Sequence, residues 1–197
     1  MNLPTALYVH IPFCIQRCYY CDFNSSLYNQ ATASRYLEAL GRELEKVKAY
    51  PLKTVYIGGG TPTAPKEVQL KKLIALLPCT PNLGVEEYTI EANPGTLSPG
   101  KLAILKEGGV NRISLGVQSF RERGLRLLGR IHSPEDTLKA FSLLRKWGFD
   151  NISIDLIFGW PGQTIKEWEE DLLEAMTLDP EHISTYCLTV ERGTALS

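Results

Sequence analysis

Six short apolar runs, at residues 6–11, 54–57, 87–91, 112–117, 151–158 and 182–188, recur from one end of the chain to the other, with longer helical patterns between them. Each run is too short to be a helix by preference. Their alternation with helices is the cadence of repeated βα units around a parallel sheet. Between the runs, apolar residues return at steps of three and four, as in Tyr36, Leu37, Leu40, Leu44 and Val47, or Val68, Leu73, Ile74 and Leu77. Such stripes can lie on a sheet. Helix ends are marked too: Ser98 with Pro99 opens a helix that Gly108 and Gly109 close, and Gly148 follows Trp147. Ser133 with Asp136 and Thr164 with Glu167 have the spacing of capping boxes. The expected architecture is a single α/β domain over residues 1–197, built of six units.

The 21 Lys plus Arg and 22 Asp plus Glu leave a formal charge of -1. That balance argues against nucleic acid or an acidic membrane surface as the main partner, since either calls for a basic excess. No run reaches the roughly 18 apolar residues of a membrane span. The opening MNLPTALYVHIPFC lacks the parts of a signal peptide, so a cytoplasmic protein is expected. Five cysteines are present, three of them within eight residues, a pattern suited to a metal site in a reducing compartment rather than to disulfides. The isolated Cys79 and Cys187 read as buried small apolar residues.

The three clustered cysteines, Cys14, Cys18 and Cys21, lie in the longest structureless piece, about residues 12 to 30. Their CxxxCxxC spacing puts three thiolates in one loop after the first strand, and thiolates select iron-sulfur clusters or zinc. Three cysteines leave one iron of a 4Fe-4S cluster without a protein ligand, a vacancy that can serve as a reaction site. The alternative is a closed zinc site with His10 as fourth ligand. Against it, structural zinc ligands come more often as separated pairs, and His10 reads better as a satisfied strand-end histidine.

In βα architectures, function gathers at the carboxyl ends of the strands. Here the second run stops at Gly58, Gly59, Gly60, Thr61 and Pro62, and the third at Glu91, Ala92, Asn93 and Pro94. The fourth ends in Gln118, and the fifth carries Asp155 and leads to Gly159, Trp160, Pro161 and Gly162. Singly, the glycines could form only a tight turn, the carboxylates could cap helices or pair with bases, and Arg130 could be a surface cation. Together with the cysteines they predict one functional rim.

The segments YVHIPFC, CYYCDFNS, IGGGTPT, EANPG, NRISLGVQSF, LGRIH, IDLIFGWPGQT and STYCLTVE cover nearly all of the chain. In them the sequence resembles the radical S-adenosylmethionine (radical SAM) superfamily, and within it the group of HemW heme chaperones and oxygen-independent coproporphyrinogen dehydrogenases. The resemblance implies a partial TIM barrel, (β/α)6 with parallel strands. It also implies that Cys14, Cys18 and Cys21 bind a 4Fe-4S cluster whose open iron takes the methionine end of S-adenosyl-L-methionine (SAM). Tyr8 and Tyr20 would line this site. Gly59, Gly60 and Thr61 would hold the methionine end, and Glu91, Gln118, Arg130 and Asp155 would make further polar contacts with SAM.

One electron entering such a cluster cleaves the sulfonium bond and gives methionine and a 5'-deoxyadenosyl radical. The dehydrogenases continue the motif as CxxxCxxCxC, whereas Asp22 and Phe23 follow Cys21 here. That departure favours a heme chaperone, with heme as cargo, a hemoprotein client and an electron donor as partners. The alternative is the decarboxylation of a porphyrin substrate, coproporphyrinogen III. The group continues past the sixth strand into a C-terminal region, which a chain ending at GTALS is expected to lack.

Overall fold

The structure is a computed structural model that describes residues 3–77 and 84–197; Cys79 lies outside the described residues. In chain order the elements are β1 (Ala6–Ile11), β2 (Phe13–Cys14), β3 (Ser26–Leu27), α1 (Gln30–Leu44), β4 (Thr54–Gly59), α2 (Glu67–Leu76) and β5 (Glu87–Ala92). They continue with α3 (Pro99–Glu107), β6 (Arg112–Gln118), α4 (Glu122–Leu127), α5 (Pro134–Lys146), β7 (Ile152–Phe158), α6 (Ile165–Thr177) and β8 (His182–Cys187). One six-stranded sheet runs β1-β4-β5-β6-β7-β8, every pairing parallel. This is the α/β architecture the six runs predict. The strands at its two edges, β1 and β8, each pair on one side within it.

Side chains alternate across a strand, and the two faces of this sheet differ sharply. Val9, Ile11, Val55, Ile57, Tyr88, Ile90, Ile113, Leu115, Ile152 and Ile154 are buried on one face and share a core with Leu37, Leu70, Leu73, Leu105, Phe141 and Leu144 of the helices. The alternate positions are mostly polar or glycine, among them Tyr8, His10, Tyr56, Gly58, Glu91, Ser114, Gly116, Ser153, Asp155 and Ser184. Register carries them across the sheet, with His10 beside Gly58, Glu91 beside Ser114, and Gly116 beside Asp155 beside Ser184. Burying one aliphatic side chain is worth about 2 kcal/mol. The helix-covered face therefore holds the sheet together and leaves its other face free for chemistry.

The local signals operate as the sequence suggests, with three differences. Ser133 Oγ accepts from Asp136 N at 3.2 Å, and Thr164 Oγ1 from Glu167 N at 3.2 Å, each the forward half of a capping box. Ser98 caps α3, Gly108 ends it, and Gly148 has φ 73° after Trp147. In α2, however, Val68 is exposed, and Leu70 takes its place on the buried stripe with Leu73 and Ile74. The cysteine loop is also less irregular than expected, because β2 and β3 pair in parallel, Cys14 opposite Leu27. Cys187 is exposed, against the expectation of burial: β8 is an edge strand with no fully buried position.

Candidate cofactor site

The strand ends open into a cavity of about 380 Å3 on the polar face of the sheet. Cys14, Cys18, Cys21, Tyr20, Gly59, Gly60, Thr61, Glu91, Gln118, Arg130 and Asp155 all line it. Tyr8 does not. It is 57% exposed on edge strand β1 and stacks on Tyr56, 6.1 Å between centroids, so that Tyr56 presents the ring to the cavity instead. The turn after β7 also departs from expectation. Trp160 is buried with Leu128 and Ile157 in a small separate cluster, leaving Asp155 as the polar group from β7.

The glycine triplet is required by close approach. A Cβ at Gly58 would stand 2.7 Å from Glu91 Oε1, and one at Gly60 would stand 2.8 Å from the Phe13 carbonyl and 3.0 Å from Cys14 Sγ. Gly59 has φ 112°, in the region that favours glycine. The amides of this segment are already committed. Gly59 donates to Glu91 Oε2 at 3.0 Å, Gly60 to Ile11 O at 2.9 Å and Thr61 to Phe13 O at 2.7 Å. Backbone carbonyls, which accept, are therefore what the segment can offer an incoming ammonium group.

Glu91 accepts from Gly59 and, at 2.8 Å, from the Tyr56 hydroxyl. Burial pushes its carboxyl above the ordinary value, against the lowering effect of those two bonds, and the Asp155 charge adds to the rise. Asp155 accepts from Ser114 Oγ at 3.0 Å and is likewise raised, chiefly by burial. Neither carboxylate caps a helix or forms an ion pair among the described residues. Two desolvated carboxylates in one concave site are the pattern of a functional pocket.

Gln118 is one of two non-glycine residues with positive φ among those described, at 69°, and it sits at a register shift between β6 and β7. Strain of this kind collects where a side chain must be aimed. Beside it, His132 Nε2 lies 3.1 Å from the Val117 carbonyl. Arg130 is drawn in by Cys18 Sγ at 3.3 Å from Nη1 and by Gly116 O at 2.6 Å from Nη2, so it is no surface cation.

Burial holds the Cys14 and Cys21 thiols above their usual range. His10 is engaged at both ring nitrogens, Nε2 at 2.8 Å from Asn24 O and Nδ1 at 3.1 Å from the Tyr8 hydroxyl, as a satisfied strand-end histidine would be. Among the described residues, no group of three or more His, Cys, Asp or Glu is gathered to hold a single metal ion. A four-iron cluster does not ask for that gathering, since each thiolate takes a different iron. Three cysteines lining one cavity, with donors to two of the sulfurs, fit such a group.

Sequence reasoning did not single out Tyr56, Ser114 or Asn93 as site residues. The first two sit inside strands, where a polar side chain carries no signal until the face is known. Asn93, in EANPG, ends the third apolar run on the predicted rim, although the resemblance assigns it no contact.

The radical SAM superfamily profile matches residues 8–175. The heme chaperone HemW of Bacillus subtilis is 47% identical over 193 residues, spanning 95% of this chain and 51% of that protein. HemW of Escherichia coli is 40% identical over 200 residues, 97% of this chain and 52% of that protein. The structure of Escherichia coli coproporphyrinogen III oxidase (HemN), described as a radical SAM enzyme, superposes with a TM-score of 0.85 at 33% identity, covering 95% of this chain and 45% of that one. The chain thus spans about half the length of the curated relatives it matches. Membership of the superfamily implies a 4Fe-4S cluster and SAM as cofactors. From the profile match over most of its length, the chain belongs to the radical SAM superfamily, and within it the chain is similar to HemW proteins.

Proposed function

We propose that Cys14, Cys18 and Cys21 hold a 4Fe-4S cluster, that SAM occupies the adjoining cavity, and that a protein carrying this radical SAM core binds heme and passes it to a hemoprotein in the cytoplasm. The observation that carries the cofactor part is that the three thiols share one cavity with the glycine segment and the carboxylates of two strands. When bound, the cluster and SAM supply one-electron cleavage of a sulfonium carbon-sulfur bond. The chain's own residues bind and orient. Carbonyls of the Gly59–Thr61 segment accept from the methionine ammonium, Glu91 and Asp155 accept from ribose hydroxyls, and the Gln118 amide and Arg130 guanidinium supply donors. Tyr20 closes the cavity beside Cys18, where burial raises its phenol so that it stays protonated. Among the described residues no helix is long and apolar enough to cross a membrane.

The heme reading is supported by the HemW relatives and by Asp22 and Phe23 after Cys21. Anaerobically reconstituted protein of the relatives' length should bind heme in a spectrophotometric titration and lose it to an apo-hemoprotein. Failure to bind either heme or a hemoprotein overturns the chaperone role. A second reading, oxidative decarboxylation of coproporphyrinogen III, is favoured by the likeness to the HemN structure. It requires carbon dioxide release when reductant, SAM and coproporphyrinogen are supplied without oxygen, and SAM cleavage without that product counts against it.

A further inference from the structure

Asn93 stands between two of the cysteines without touching either. A guanidinium only donates, so the Asn93 atom 2.5 Å from Arg130 Nη2 must be the carbonyl Oδ1. That orientation turns Nδ2 toward Thr61 Oγ1, 3.0 Å away. With its oxygen accepting from Asn93, Thr61 keeps its own proton for Cys14 Sγ at 3.8 Å. At the other end Arg130 Nη1 donates to Cys18 Sγ at 3.3 Å. A single amide thereby sets the direction of the donors on two sulfurs.

The surrounding chain is built around this arrangement. Gly116 lies inside β6, where glycine weakens a strand, yet a Cβ there would stand 2.9 Å from Asn93 Oδ1 and 3.2 Å from Arg130 Nη2. The Asn93 backbone is fixed by Thr96, which accepts from its amide at 3.2 Å and donates to its carbonyl at 2.7 Å.

We propose that Asn93 is a positioning residue that aims Thr61 and Arg130 at the sulfurs of Cys14 and Cys18 and so raises the reduction potential of the cluster those cysteines hold. The inference rests on the cluster reading above. Reduction adds negative charge to iron and thiolate sulfur, and donors aimed at the sulfurs stabilise the reduced form.

The test is a mediated potentiometric titration of the reconstituted cluster without SAM, followed by electron paramagnetic resonance, with iron and sulfide counted on each sample. Asn93→Leu should keep its iron and sulfide and make the one-electron reduction about tenfold less favourable, about 59 mV lower. Thr61→Val should give a smaller fall, and the double variant should fall no further than Asn93→Leu alone, because Thr61 acts through the same amide. Should Asn93→Leu not load, Asn93→Asp serves: its carboxylate still accepts from Arg130 but draws the Thr61 proton from Cys14, so the potential again falls.

Loaded Asn93 variants with the wild-type potential, or shifts that simply add, would overturn the role of Asn93. Wild-type protein that takes up no iron and sulfide would instead overturn the cluster reading itself.

Discussion

The amide of Gly59 donates to Glu91 Oε2 at 3.0 Å, tying the glycine segment to the end of the neighbouring strand. The other carboxylate oxygen takes the Tyr56 hydroxyl, so Glu91 shapes the floor of the cavity as well as lining it. Glu91→Ala should leave both donors unpaired, cost about 1 kcal/mol in stability and weaken SAM binding about tenfold. Tyr56→Phe should have the smaller effect on both. Equilibrium dialysis against SAM with cluster-loaded protein, beside urea unfolding, checks the pair.

Gly60 faces backbone, which cannot move aside as a side-chain tip can. A methyl there meets the Phe13 nitrogen at 2.9 Å and its oxygen at 2.8 Å. Gly60→Ala should cost about 1–3 kcal/mol by overpacking. It should also push the Cys14 strand off the glycine segment, so that iron content after reconstitution falls along with the unfolding midpoint.

Asp171 on α6 is wholly buried and accepts from Ser119 Oγ at 2.7 Å and Phe120 N at 2.8 Å, with Arg121 Nε at 3.7 Å. It pins the turn that follows the strained Gln118. Asp171→Ala strands those donors and should cost about 3 kcal/mol. The check is a lower urea midpoint with an unchanged slope.

Burial first, and the Arg130 charge second, push the His132 imidazole down to about 4. Unfolded, it titrates near 6.5. Between those values the unfolded chain binds a proton that the native chain refuses, so stability falls as pH falls through the window and this contribution levels off below it. The size is about 3 kcal/mol. His132→Gln should flatten the loss between pH 7 and pH 4.5 in chemical unfolding of the cluster-free protein, and an unchanged pH slope would contradict the assignment.

Much of this was legible in the residues. Strand positions follow from short apolar runs, and the caps at Ser133 and Thr164 follow from side chains placed to bond orphan amides. The cavity-lining strand ends at Gly59–Thr61, Glu91, Gln118 and Asp155 were legible because polar residues stop apolar runs there. Other features needed the fold. Cys187 ends an apolar run and so reads as core, but an edge strand buries little. Tyr8 belongs to the motif segment and lies on the polar face of the sheet beside Tyr56, but on the edge strand, so that Tyr56 stands between it and the cavity. Asn93 ends the third apolar run, but its side-chain partners lie 32 and 37 residues away in sequence, and no local pattern pairs them.

In the proposed function Cys14, Cys18 and Cys21 hold a cluster with an iron open to SAM. That role is tested most directly by anaerobic reconstitution followed by iron and acid-labile sulfide analysis and by electron paramagnetic resonance of the reduced protein with and without SAM. The expected result is a brown protein with about four irons and four sulfides per chain, a signal that changes when SAM is added, and loss of the cluster when any one of the three cysteines becomes Ala. A colourless protein holding zinc without sulfide, or a cluster that survives each of those changes, would contradict it.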